Sequence, residues 1–179
     1  MAGDLVFDQT CLIDINNPIG QSVSIDERDH IHISRIDPST RQLIYNMINS
    51  EGEISREILI DPLDLELNPV TDSDILARHD QVYLCTHRAD AALRSLIVLI
   101  RDQEGTWREE VVELNADDGN QCEIVWHDNQ LHVATSRGGV VYWYTRGAAS
   151  WGYEAITPMG QSQGFDLSAT VTRQDKVLL

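Results

Sequence analysis

Three stretches of the chain share one alternation: Asp29-His30-Ile31-His32-Ile33-Ser34, Asp80-Gln81-Val82-Tyr83-Leu84-Cys85 and Asn129-Gln130-Leu131-His132-Val133-Ala134 each read as a tight turn entering a strand. A partial copy, Asp175-Lys176-Val177-Leu178-Leu179, follows at the end of the sequence. The turn positions 29, 80, 129 and 175 are 51, 49 and 46 residues apart. That is the spacing of four-stranded β-propeller blades rather than of helical repeats.

A second landmark recurs at a steady offset. Ile54, Trp107 and Trp151 are each followed three positions later by a glutamate, Glu57, Glu110 and Glu154. Between the landmarks lie Leu43 to Ile48, Leu96 to Arg101 and Val140 to Thr145, rich in the β-branched and aromatic side chains that suit a pleated surface. Each copy therefore holds four strands, here lettered a to d. The expected fold class is all-β and propeller-like, one domain over residues 1 to 179, with complete blades at about 20 to 61, 73 to 114 and 121 to 157. A lone d strand at 5 to 14 and strands a and b at 165 to 179 are expected to be the split parts of another blade. Such ends complete a sheet across the ring and remove an open edge. The missing c strand favours a piece of a larger propeller, or several chains assembling one ring, over a four-bladed ring with a defective last blade.

The 42% hydrophobic content is that of an ordinary globular domain. The longest purely apolar run, Leu96 to Ile100, is a strand's length, well short of the roughly 20 residues a membrane helix needs. Met1 to Leu5 lacks the basic and apolar regions of a secretory signal, so a cytoplasmic location is expected for the chain as it stands, and secretion only if it is a fragment. A net charge of -16 opposes approach to nucleic-acid phosphates and anionic lipid, and neither is an expected partner. Cys11, Cys85 and Cys122 form no CxxC pair and read as small apolar strand residues in reducing surroundings.

No GxSxG, HExxH, P-loop or GxGxxG pattern is present, so no catalytic residue and no cofactor is implied. His30 and His32 stand two apart, which places both on one strand face and could start a metal site. No sister copy repeats the pair, so the reading is an exposed turn histidine and a partly buried strand histidine, with no metal ligands. The recurrent glutamates read as structural, because a catalytic acid is normally needed once. The b-to-c corners each carry an arginine, Arg35, Arg88 and Arg137, with His87 beside the second. Guanidinium groups converging there would grip a carboxylate or sulfate bidentately, and these four residues are the expected ligand-binding set. Arg35 stands two positions out of register with the other two.

Ile31-His32-Ile33-Ser34, an apolar strand and the Gly105-Thr106-Trp107 turn together resemble the repeats of sialidase-like propellers and of propeller lectins that bind sugars between blades. Asp102, Thr106 and Trp107 match the Asp box of that group in position; Gly105 is displaced by one and Ile100 stands where a serine belongs. The resemblance implies a binding module for a saccharide, with Tyr142, Trp143, Tyr144 and Trp151 as stacking faces and the corner arginines as anchors. A glycan-processing hydrolase or lyase, and a protein-interaction scaffold, are the competing readings. Self-association to complete a ring is the other expected partnership.

Overall fold

The computed structural model describes residues 19–61, 72–90, 93–114, 116, 121–137, 140–156, 167–172 and 177–178. The expected strand at 5 to 14, and Cys11 within it, lie outside the described residues. Among the described residues every regular element is a strand, and no helix is long and apolar enough to cross a membrane. The first sheet holds β1 (Ile19–Ile25), β2 (Ile31–Ile36), β3 (Leu43–Ile48) and β4 (Ile54–Ile60). The second holds β5 (Ser73–Arg78), β6 (Gln81–Asp90), β7 (Leu93–Arg101) and β8 (Trp107–Glu113), and the third β9 (Cys122–His127), β10 (Gln130–Arg137), β11 (Val140–Arg146) and β12 (Trp151–Ile156). A two-stranded ribbon, β13 (Thr170–Val171) with β14 (Val177–Leu178), follows. Each four-stranded sheet is an antiparallel meander in chain order, and each is open. The three sheets match the three expected copies to within a residue or so at either end.

The register confirms that the copies are equivalent. Ser34 faces Tyr45, Cys85 faces Val98 and Ala134 faces Trp143. The first turns differ, however. His79-Asp80 and Asp128-Asn129 are two-residue hairpins with both residues at positive φ, the turn whose twist matches that of its strands. The first sheet instead spans Asp26 to His30, with only Asp29 left-handed (φ 62). Asp26 Oδ1 accepts the amides of Arg28 and His30 at 2.8 Å each, and this side-chain cap closes the longer loop. The same five-residue turn recurs at Asn49, which takes the Glu51 and Glu53 amides, and at Asp102, which takes those of Glu104 and Thr106. There Gly52 and Gly105 hold the left-handed position (φ 83 and 86).

The core lies between sheets. Ile36, Leu43 and Tyr45 pack on Ile75, Val82, Leu84 and Ile97, and the other face of the second sheet, through Tyr83, Cys85, Leu96 and Val98, packs on Cys122, Ile124, Leu131 and Val133. A third cluster joins Val125, Ala134 and Trp143 to Leu167. A strand covered on both faces has no polar side to show, which is why Leu96 to Ile100 reads as one apolar run. Each fully buried aliphatic side chain contributes about 1.5–3 kcal/mol. The fourth strands are the exposed ones, with Ile58, Val111 and Tyr153 open to solvent.

First strands of consecutive sheets run side by side without sharing a ladder, so their facing N–H groups need other acceptors. Side chains of the preceding sheet supply them. Ala77 N–H donates to Ser24 Oγ (2.9 Å), Ile124 N–H to Asp74 Oδ2 (2.8 Å) and Ala169 N–H to Glu123 Oε2 (3.3 Å). One step along, Cys122 N–H donates to Asp72 (3.3 Å) and Leu167 N–H to Gln121 (2.9 Å). Close approach is required here: a Cβ on Gly20 would lie 2.8 Å from Asp72 Cα. Burial pushes the acids of this ladder up, Asp72 to about 6, Glu123 to about 7, and Asp74 in the same direction against the pull of the Ile124 amide.

A second set of links runs along the outer side. Glu57 accepts the Trp107 indole N–H (2.9 Å) and Arg101 Nη2 (3.3 Å), and Glu110 accepts Arg146 through Nε (2.8 Å) and Nη2 (2.6 Å). The recurrent glutamate therefore clamps the next sheet, the shared structural task its recurrence implies. Glu154, third in the series, is exposed. Glu110→Ala is expected to lower the unfolding free energy by about 1–2 kcal/mol. Glu154→Ala should stay within about 0.5 kcal/mol of the parent in the same urea titration.

Candidate functional site

Two of the three corner arginines are committed to glutamates. Arg88 pairs with Glu109, and Arg137 donates to Glu113 (2.9 Å) while lying 4.4 Å from the centre of the Tyr142 ring. Arg35, opposite Ile44, sits in the register of Thr86 and Thr135, which face Ile97 and Tyr142. His87 is fully buried, 3.4 Å from Thr135 Oγ1, and burial depresses its pKa to about 4. Packing also takes most of the aromatic stripe. Trp143 stacks on His132 at 4.8 Å, Tyr144 is buried, and Trp151 lies against the core. Tyr153, on the outermost strand, is the exposed ring of that neighbourhood, at 68%.

A different cluster lies at the junction of the first two sheets, in a cleft of ≈ 200 Å³. The Asp26–His30 loop and His32 form one wall; Asp80 and Gln81 from the start of β6, with Arg101 to Gln103 from the end of β7, form the other. Arg28 reaches across to Asp80 (2.5 Å), and Gln103 Nε2 donates to the same carboxylate (3.2 Å). With Asp26 Oδ1 occupied by the loop amides, Asp26 Oδ2 is left facing His30 Nδ1 at 3.1 Å and His32 Nε2 at 3.2 Å. His32 Nδ1 is 2.8 Å from the hydroxyl of Tyr45, on which its ring also stacks.

Electrostatics follow from this arrangement. Burial works against the Asp26 carboxylate, but the His30 and Arg28 amides and the two imidazoles outweigh it and hold its pKa low. Burial lowers His32 against the opposing pull of Asp26, favouring the neutral ring. Burial also raises Tyr45 to about 12, so its phenol stays protonated. The cleft thus offers a fixed carboxylate, a neutral imidazole and a row of amide and guanidinium donors.

His132, the counterpart of His32 in the third sheet, shows what the position does without the long loop. Its Nε2 is 3.1 Å from the His127 carbonyl and its Nδ1 3.0 Å from Thr145 Oγ1. There the ring staples the turn to the strand. In the first sheet a carboxylate and a second imidazole take the carbonyl's place. Asp26 was not among the residues the repeat pointed to. Its sequence signal is the likeness of Asp26-Glu27-Arg28-Asp29-His30 to Asp102-Gln103-Glu104-Gly105-Thr106, an aspartate five positions before the first residue of the next strand.

No family model matches the chain, and no curated protein matches it.

Proposed function

We propose that the protein is a ligand-binding module whose sheets fan about a common axis in propeller fashion, and that a saccharide binds in the cleft between the first two sheets. The observation that carries this reading is the concentration of planar polar groups on the cleft walls, Asp80, Arg101, Asp102 and Gln103. A sugar hydroxyl donates one hydrogen bond and accepts others, so neighbouring hydroxyls suit a carboxylate or amide oxygen set beside a guanidinium or amide donor. The net charge of -16 favours neutral over polyanionic glycans. The resemblance of the sequence repeats to those of propeller lectins supports the same class. In place of the corner arginines, of which Arg88 and Arg137 pair with glutamates, this reading uses the rim of the first interface.

A glycan array with the parent protein tests it. Gln103→Ala is expected to weaken binding of any retained neutral glycan by about tenfold, the loss of roughly 1.4 kcal/mol. Arg88→Ala with Arg137→Ala should leave that binding unchanged. Loss in the arginine variant alone would return the site to the b-to-c corners. The exposed Ile54, Ile58, Val111 and Tyr153 of the outer strands favour, as a second reading, a scaffold that docks proteins along those edges; it is the outcome if protein ligands bind and glycans do not.

A further inference from the structure

We propose that Asp26, His30 and His32 bind a divalent first-row transition metal ion, with zinc the best match, through Asp26 Oδ2, His30 Nδ1 and His32 Nε2. The sequence reading treats the two histidines as separate structural residues; the fold places them on one carboxylate oxygen. The three ligand atoms lie within 4.8 Å of one another, two of the separations being 3.1 and 3.2 Å. Ligands about 2.0–2.1 Å from a tetrahedral ion stand ~3.3 Å apart, so only His30, at the half-exposed side of the loop, needs to adjust. Two imidazole nitrogens and a carboxylate are the donor set of an open three-residue site, in which a further position is left for water or a ligand oxygen. Here that position faces the cleft.

Three features distinguish this cluster from a chance hydrogen-bonded pair. Two of the three ligands are held by something behind them: Asp26 Oδ1 by two loop amides, and His32 by the Tyr45 hydroxyl. Without an ion the neutral ring donates Nε2–H to Asp26 and accepts the Tyr45 hydroxyl at Nδ1. A bound ion would take the place of the Nε2 proton, with the ring proton then on Nδ1 and accepted by the phenol, the outer partnership that metal-bound histidines use. The flanking cations do not oppose an incoming ion at full strength, since Arg28 is paired with Asp80 and Arg101 with Glu57. Finally, the equivalent His132 is saturated by a carbonyl and a threonine hydroxyl, so the donor set belongs to the long first loop and not to the repeat as such.

The inference is independent of the saccharide reading, and its test uses the metal alone. Titration of the parent protein with Co2+, followed by visible absorption, should give one equivalent of a low-symmetry, four- or five-coordinate spectrum that Zn2+ displaces. His30→Ala removes one ligand from a half-exposed loop position and should weaken binding by about a hundredfold, the upper end of what loss of a supporting group causes. Asp26→Asn keeps the loop cap and should weaken it similarly, whereas His79→Ala, in the next sheet's turn, should change nothing. Zn2+ should raise the melting temperature of the parent and of His79→Ala but not of His30→Ala. Octahedral, multi-equivalent binding that His30→Ala and Asp26→Asn leave intact would overturn the proposal, as would the absence of stoichiometric binding.

Discussion

Asp74→Ala is expected to lower the unfolding free energy by about 3–4 kcal/mol, the largest loss available from any single polar side chain of the first strands. The carboxylate takes the Ile124 amide through Oδ2 and the Ile75 amide and the Ser22 hydroxyl through Oδ1. Truncation leaves these donors in a site that burial already makes hostile to charge, and each orphan costs about 1–3 kcal/mol before relaxation. Asn at the same position keeps an acceptor of the same shape without the desolvated charge. Asp74→Asn should therefore cost less than about 1.5 kcal/mol. Urea unfolding at neutral pH distinguishes the cases. Equal losses in the two variants would mean that the charge, and not the acceptor, joins the second and third sheets.

Buried titratable groups at the first strands and in β6 make stability depend on pH in two opposed ways. Glu123 is pushed from 4.5 to about 7 and Asp72 from 3.8 to about 6, so between those limits the folded protein holds protons that the unfolded chain has released. Their contribution is greatest below pH 4 and is lost as pH rises to 7. For Glu123 the loss is about 3 kcal/mol, at about 1.4 kcal/mol per unit of displacement. His87 runs the other way. Burial lowers it from 6.5 to about 4, so the unfolded chain binds the extra proton, and stability is lost as pH falls through the same interval. That term is also about 3 kcal/mol. With two raised acids against one lowered histidine, the parent should lose stability as pH rises from 4.5 to 6.5. Glu123→Gln should leave Asp72 and His87 opposed and flatten the profile, and His87→Phe should steepen the fall. Variant profiles parallel to the parent's would refute both assignments.

Much of the fold was legible because its signals are local. A left-handed residue in each first turn, alternation in the second strands and an unbroken apolar run in β7 each have one simple physical cause, and together they set three sheets in register. The links between sheets were not legible in the same way. Ser22 and Ser24, Asp72 and Asp74, and Gln121 and Glu123 form a series of acceptor side chains at alternate first-strand positions. Their meaning emerges only when those strands are placed beside one another with unmatched amides between them. Among 29 acidic residues, two or three with a buried task carry no separate compositional mark. The site divides likewise. His30 and His32 announce themselves by spacing, but Asp26 joins them because a loop a few residues longer folds its carboxylate back. For the corner arginines, sequence shows where a guanidinium starts but not that Arg88 meets Glu109 and Arg137 meets Glu113.

The glutamate clamps have a direction. Glu57 reaches forward to the second sheet and Glu110 to the third; each takes hold of its successor and is not itself taken hold of by the same device in return. An arrangement of this kind is head-to-tail, with unlike front and back surfaces, so a further sheet added behind Glu154 must present the arginine-bearing side first. Growth by that rule gives a closed circle when the turn per sheet divides a full revolution and a spiral when it does not.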